Sequence, residues 1–461
     1  MEIDWKTFVI YVNLAIIWYF LFVNFCYVVL LVTSIPDIFV RFKESLIGNI
    51  NFFMGSRVTP PVCAIIPAYN EEVGVINTIE SVLKSNYKNL QLFVVNDGST
   101  DKTMEILIEK YQLISTFPII MQKIKTEAKV KNYYISSKYR NLTVIDKEHS
   151  GKSDSLNIGI NASTAPLFVT IDSDTIVEAD AIPYLVFSMM SKQHTIAEGG
   201  SVYILNGCKF KDGVVTEPKM SLNPLIAMQT CEYLRAFLFG RTGWNLFNGP
   251  LILSGAITLF ERQAVLDVGG YLIGSPGEDM EVVVSLHEYM RQHDFPYRIG
   301  FVFSGSVWTD VPTSMNALWA QRDRWHRGLI DSLMRHKKMF FNPRYGATGL
   351  ISYPFQFFGE FLGPIIEFIG YLAVIIGMYL NMIDWRFAVL FFIVTWGFAT
   401  IITLATMLIS VISFNKYRQI RDVIYLFFLV IFESFGYRQI ISLCRVVATF
   451  RYFIGKLLPP R

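Results

Sequence analysis

The chain has 461 residues, 52% of them hydrophobic and 15% aromatic, above the share usual for a soluble protein. A formal net charge of +3, with no basic tract interleaved with aromatics, argues against nucleic-acid binding. The five cysteines (Cys26, Cys63, Cys208, Cys231, Cys444) form no CxxC pair and the six histidines no spaced cluster, which disfavours a disulfide framework or zinc site and fits a reducing compartment.

In chain order, Phe8 to Pro36 carries no charged residue. About 20 apolar residues span a bilayer, so this segment reads as a transmembrane helix. Acidic Glu2 and Asp4 precede it, where a signal peptide would have a basic region. Arg41, Lys43 and Arg57 follow it against Lys6 before it, which places the N-terminus outside and the next domain in the cytoplasm. Residues 1–52 form this helix and its linker. From 53 to 310 apolar runs alternate with amphipathic stretches. Val62–Tyr69, Leu90–Asp97, Leu142–Lys147 and Pro166–Asp174 read as buried strands with polar tips. Val73–Ser85 and Lys102–Tyr111 read as helices. This rhythm predicts βαβ units and a mostly parallel sheet, with ligands beyond the carboxyl ends of its strands. Residues 311–350 read as interfacial helices, and 351–461 as apolar again. There Phe361–Met382 and Phe387–Ser413 are expected spans, and the loop holding Lys416, Arg418 and Arg421 is expected on the cytoplasmic side. Val423–Lys456 contains Glu433, Arg438, Arg445 and Arg451, and reads as one span plus an interfacial helix. Glu360, Glu367 and Glu433 sit in apolar surroundings, where ionisable groups face a bundle interior or a polar cavity by default. They either line a polar channel or, for Glu360 and Glu367, meet the cytoplasmic interface.

Four motifs carry chemistry. Val95–Asp101 (VNDGSTD) ends a strand at Asp97; Gly98 permits a tight turn, and Ser99 and Asp101 suit helix capping. Asp172 and Asp174 stand two residues apart at a strand tip, so both carboxylates can meet one hard divalent cation and a substrate diphosphate. Gly277–Glu281 (GEDME) presents Glu278 and Asp279 before a helix. These are either capping acids or a general base for an acceptor hydroxyl. Gln321–Gly328 (QRDRWHRG) sets Gln321, Arg324 and Trp325 on one helical face, suited to phosphate and to a sugar ring. The same stretch also reads as an interfacial helix whose Arg322, Arg327, Lys337 and Lys338 meet lipid headgroups. Glu148–Asp154 (EHSGKSD) ends like a P-loop but has Asp146 where the first glycine is needed, so only Lys152 remains as a point charge for phosphate.

In this order PAYNEE, VNDGSTD, KEHSGKSDSLNIGI, IDSDT, SGA, GEDME and QRDRW resemble the processive family 2 glycosyltransferases, the group of cellulose, hyaluronan and poly-N-acetylglucosamine synthases. The likeness runs from about Pro61 to Gly328, and EYLRAFLFGR (Glu232–Arg241) resembles a bacterial cell-wall or exopolysaccharide branch. It implies a GT-A nucleotide-sugar-binding α/β domain flanked by transmembrane and interfacial helices. It implies that Tyr69 and Asp97 hold the uracil of a UDP-sugar, with Glu71, Lys152 and Asp172 near the nucleotide. Asp174 would bind Mg2+ or Mn2+, and Asp279 would be the general base. Gln321 and Arg324 would approach the diphosphate, while Trp325 and Glu278 would meet the acceptor.

The expected activity is inverting transfer from UDP-glucose or UDP-N-acetylglucosamine to a growing β-linked polysaccharide at the inner membrane, with accessory export or biosynthesis subunits as possible partners. The alternatives are a single-transfer lipid glycosyltransferase and a catalytically silent nucleotide-binding subunit. Serines in KEHSGKSDS and SGAIT in place of the common SGAFG leave the sugar and acceptor open.

Overall fold

A computed structural model describes residues 5–47, 59–118, 120–382, 384–413, 416–417 and 419–457. The boundary expected at residue 52, together with Arg57 and Arg418, lies outside them, and the side chains of Arg41 and Lys43 are not described.

The four expected strands form β1 (Val62–Ala68), β2 (Leu90–Asn96), β5 (Leu142–Lys147) and β6 (Leu167–Ile171). Every residue of β1 and β6 is buried, as unbroken apolar runs require when a sheet is covered on both faces. These strands lie in the order β5-β2-β1-β6, all parallel, with Val62 beside both Leu90 and Leu167. Helices Val75–Leu83 (α2) and Thr103–Tyr111 (α3) lie close to their expected bounds.

The flanks correct the expectation of a mostly parallel sheet. β3 (Leu113–Thr116) and β4 (Val130–Ser136) add antiparallel beside β5. β4 returns to β5 through a short turn, and such a return can pair only antiparallel. On the other side β11 (Ile257–Glu261) runs antiparallel between β6 and β8 (Thr195–Ile204). β12 (Arg298–Thr309) is parallel to β8, and β7 (Thr175–Val177) closes the edge. The result is a mixed ten-stranded sheet, with the short hairpin β9 (Lys209–Lys211) and β10 (Val214–Glu217) outside it. Because β1, β2, β5 and β6 are parallel, Tyr69, Asp97, the loop after Lys147, and Asp172 all emerge at one edge of the sheet.

Helix α1 (Trp5–Ile47) contains Pro36 and runs from its apolar stretch onto the α/β domain. There Thr33 Oγ1 donates to the Gly243 carbonyl at 3.0 Å and Asn245 Nδ2 to Asp37 at 2.6 Å. A methyl group at Gly243 would lie 2.4 Å from the Leu30 carbonyl oxygen, so only glycine lets the two segments meet this closely.

Two helical stretches are long and apolar enough to cross a membrane, Ile10–Val40 and Ile420–Gly455. A bent pair, Thr348–Phe361 and Gly363–Tyr379, turns by 40° and is a third candidate. The expected span Phe361–Met382 is therefore the second limb of a bend. Phe387–Ser413 is interrupted by a π-helical turn at Ile393–Gly397, leaving the short apolar helix Phe398–Ile409. The last stretch breaks where Phe435 and Gly436 leave helical geometry, Gly436 at φ +88°. The limb beyond that break, Arg438–Leu457, packs along Met315–Arg335, in keeping with a span followed by a helix lying on the protein.

The glutamates of the apolar region are all paired. Arg235 forks onto Glu433 at 2.7 and 2.9 Å; Arg438 meets Glu367 at 3.2 Å and Arg445 meets Glu360 at 3.2 Å. Lys416 reaches Glu178 at 2.6 and 2.7 Å, which ties its loop to the α/β domain.

Candidate active site

Two short connections bring the sheet edge together. Helix Lys152–Ala162 (α4) starts just after the loop that follows β5, and places Lys152 between Asp172 at 2.6 Å and Glu278 at 3.0 Å. Glu278 opens helix Glu278–Gln292 (α5), whose next residue is Asp279. Gly255, from the SGA segment, sits among these groups. A methyl there would be 3.1 Å from Lys152 Nζ, 3.5 Å from Asp172 Oδ2 and 3.7 Å from Asp279 Oδ2. The glycine leaves the centre of the cluster open.

The two adjacent carboxylates of α5 are driven apart. Burial would raise Glu278, but the Lys152 ammonium overrides it and holds this group low. Burial, then the Glu278 charge, raise Asp279 above the ordinary carboxylate value. A raised carboxylate beside a lowered one is the arrangement that separates a proton-accepting group from a charge partner.

Asp174 lies at the open mouth of the cleft, and its Oδ1 accepts from Thr175 and Thr309 hydroxyls at 3.3 Å. Burial and the Asp172 charge push it up to about 6. Burial, followed by Asp174, Asp101 and Asp172, pushes Glu71 up to about 7. Among the described residues no three His, Cys, Asp or Glu side chains gather as a metal cage. A crowd of carboxylates with too little positive charge fits a hard divalent cation. Such an ion would be held by one protein carboxylate and completed by phosphate and water.

Asp97 and Tyr69 are brought together differently. Asp97 is 3% exposed and is held by the fully buried Lys147 and by the backbone amides of Ser150 and Gly151, each at 2.9 Å. His149 Nδ1 also lies 3.0 Å from its Oδ2. Asp97 thus fixes the loop that presents Lys152. Gly98, at φ +65°, is required because a methyl there would lie 2.7 Å from the His149 amide nitrogen. The His149 ring stacks on Tyr69 with centroids 4.3 Å apart, and Tyr69 is 44% exposed, which leaves a flat aromatic surface at this end of the cleft. Asp101 accepts from Thr103 N at 3.0 Å, the expected capping contact, whereas Ser99 instead ties Asn96 to the Asn70 amide.

The sequence reading passed over Lys147. Its ammonium faces Asp97, Ser150 Oγ at 2.5 Å and Asp154 at 3.7 Å. Removing one partner of a buried ion pair costs about 3–5 kcal/mol because it leaves the other charge uncompensated. Lys147→Met is therefore predicted to lower the thermal midpoint and weaken UDP binding. Lys147→Met combined with Asp97→Asn should recover part of the stability loss in a double-mutant cycle.

Helix Met315–Arg335 (α6) carries the last motif. Arg324 and Trp325 are exposed and Gln321 is half-buried on the same face. Arg322 corrects the lipid-headgroup expectation: it is 2% exposed, bonded to Glu232 at 2.9 Å, and its guanidinium lies 4.3 Å from the Trp325 ring centroid. The starts of α5 and the middle of α6 meet at two glycines. A methyl on Gly277 would lie 2.9 Å from Gly328 Cα, and one on Gly328 would lie 2.7 Å from Gly277 Cα. That contact sets the GEDME carboxylates beside the QRDRW helix.

Known proteins match this arrangement. The family described as Glycosyl transferase family 2 matches residues 63–244, and Glycosyl transferase family group 2 matches residues 167–412, more than half of the chain. A poly-beta-1,6-N-acetyl-D-glucosamine synthase of Staphylococcus aureus (strain COL) is 28% identical over 271 residues, 59% of this chain and 55% of that one. A synthase of the same description from Staphylococcus epidermidis is 27% identical over 272 residues, 59% of this chain and 55% of that one. The chain thus spans about half the length of these curated relatives. A mannosyltransferase from Pyrobaculum calidifontis, solved with GDP-Man and Mn2+, aligns with TM-score 0.54 at 13% identity over 94% of this chain and 99% of that one, a likeness of fold. With the matched span covering the sheet, the acidic tips and the QRDRW helix alike, the chain belongs to the family 2 glycosyltransferases.

Proposed function

We propose that this enzyme transfers a sugar from a UDP-sugar, UDP-glucose or UDP-N-acetylglucosamine, with inversion onto a growing β-linked polysaccharide. Residues 53–310 form the catalytic unit on the cytoplasmic face of a multi-pass membrane protein, and the product crosses the bilayer among the flanking helices. The observation that carries this reading is the convergence of Lys152, Asp172, Glu278 and Asp279 around Gly255, with Trp325 on the adjoining helix. The 28% identity with the staphylococcal synthase supports a polymer product.

In this reading Asp279 accepts the proton of the acceptor hydroxyl as that oxygen attacks the anomeric carbon. Lys152 and Arg324 bring positive charge to the diphosphate, and Tyr69 with His149 flanks the base. Trp325 offers its ring face to the acceptor sugar. Asp174 would hold a Mg2+ or Mn2+ ion, which supplies charge neutralisation on the leaving diphosphate when bound.

The test is purified full-length enzyme in lipid nanodiscs given radiolabelled UDP-glucose, UDP-N-acetylglucosamine and UDP-galactose in turn. The expected product is high in mass, forms from one of the first two donors, and is cleaved by a β-specific hydrolase. A labelled lipid of fixed size would replace polymerisation with single transfer. No UDP release from any donor would identify a silent subunit.

A further inference from the structure

Trp325 is 42% exposed on α6. A half-exposed indole turns about its side-chain torsions unless something beside it fixes the plane. A stacking ring orients its ligand only when packing and hydrogen bonds behind it lock its own rotamer. Arg322, one turn earlier on the same helix, supplies that backing. Its guanidinium lies 4.3 Å from the centroid of the indole and is itself only 2% exposed. Planar guanidinium groups stack on aromatic faces, which a rounded ammonium does less well.

Arg322 is in turn held from two other parts of the chain. Its Nη2 donates to Glu232 at 2.9 Å, and the Tyr437 hydroxyl donates to the same oxygen at 2.8 Å. Burial would raise the Glu232 carboxyl, but the Arg322 guanidinium overrides it and holds the group low, so both partners are charged. Glu232 lies on helix Pro224–Leu238, one turn before Arg235, which forks onto Glu433. Glu433 and Tyr437 stand on either side of the break at Phe435 and Gly436. The bracket around Arg322 is therefore fastened to a bend in the last apolar stretch and not to a loose loop. A buried ion pair adds little stability over an apolar pair of similar volume. A charged pair with a third partner defines a direction instead, and the group it backs is the indole.

We propose that Arg322, held by Glu232 and Tyr437, is a positioning residue that sets the plane of Trp325 for the acceptor sugar. This rests on the sugar-transfer reading above and adds the residues that make its acceptor surface rigid.

Arg322→Met alone would leave Glu232 without its charge partner. The test therefore combines it with Glu232→Gln, which removes both charges and keeps an acceptor for Tyr437. UDP release by the full-length enzyme in nanodiscs is measured at saturating donor against rising β-linked glucose or N-acetylglucosamine tetrasaccharide. UDP affinity is measured separately. The apparent KM for the preferred tetrasaccharide should rise about tenfold on loss of a desolvated cation–π contact, with UDP affinity within about twofold of wild type. Glu232→Gln alone should shift KM the same way by a smaller factor, and Arg322→Lys should stay nearer wild type. A purely structural role would reduce the amount of competent enzyme, which lowers the maximal rate and leaves KM unmoved. In a Trp325→Ala background the double substitution should raise KM no further, because its route is through the indole. An unchanged KM overturns the inference, as do losses that multiply with Trp325→Ala or a parallel fall in UDP affinity. Failure of the sugar-transfer reading looks different: the wild-type enzyme itself releases no UDP from any donor.

Discussion

Asp279→Asn is expected to lower transfer by about 10²–10⁴-fold while leaving UDP affinity within about twofold of wild type. The asparagine keeps the shape of the side chain, and its amide oxygen can still accept the Met280 N–H that Asp279 Oδ1 accepts at 2.9 Å. What is lost is proton affinity. Asp279 is buried and sits beside ionised Glu278, so its carboxylate binds a proton more strongly than a solvated one. The sign for pH follows: a base must be deprotonated, so activity falls as pH drops through the raised value, above the ordinary carboxylate pKa of about 4. Glu278→Gln should act differently, because it removes one of the two anions that bracket Lys152, and UDP affinity should change along with rate. Single-turnover rates and equilibrium UDP binding on the two variants separate these roles. An Asp279→Asn enzyme that folds and turns over at near wild-type rate would take the base assignment away from this residue.

The legible and illegible parts of the fold divide on physical grounds. β1 and β6 are readable because a strand buried on both faces shows as an unbroken apolar run ending in polar residues, and β2 and β5 because their apolar runs, interrupted by Gln91 and by Thr143 where one face is partly open, still end in polar tips. β8 is equally buried, all ten residues of it, yet its sequence TIAEGGSVYI hides the signal. Gly200 is there because a methyl group would lie 2.3 Å from the Gly305 carbonyl oxygen, and Glu198 is there because Ser188 donates to it inside the protein. Neither cause is local, so no period in the sequence reports it.

The same division runs through the site. Asp172, Asp174, Glu278 and Asp279 stand out as acidic tips and turns, whereas the pairing of Lys152 with two of them depends on three separate segments meeting. Arg322 sits in a basic helix and reads as surface; its partner Glu232 is 90 residues earlier, which only the folded chain reveals.

Gly328→Ala is the second substitution with a large expected effect, although residue 328 bears no functional group. Its Cβ would lie 2.7 Å from Gly277 Cα and 2.8 Å from Gly277 N. Both are backbone atoms at the start of α5, with no flexible side chain to swing aside. The two helices must therefore separate, by roughly 1 Å if ordinary carbon contacts of about 3.5–4.0 Å are to be restored. That displacement moves Trp325 and Arg324, on α6, away from Asp279 and Glu278, on α5. Misplacement by 1 Å costs on the order of 10²-fold in rate, so transfer should fall by about that factor. Binding of UDP should change little, because Asp97, Lys147 and the loop to Gly151 belong to the sheet side of the cleft. Gly277→Ala meets the same obstacle from the opposite helix, with its Cβ 2.9 Å from Gly328 Cα. The two substitutions act on one contact, so the double variant should lose far less than the product of the single losses. Strict additivity would mean that each glycine serves a separate purpose. Wild-type transfer by Gly328→Ala would mean that α5 and α6 need not touch for the carboxylates and the tryptophan to work on one substrate.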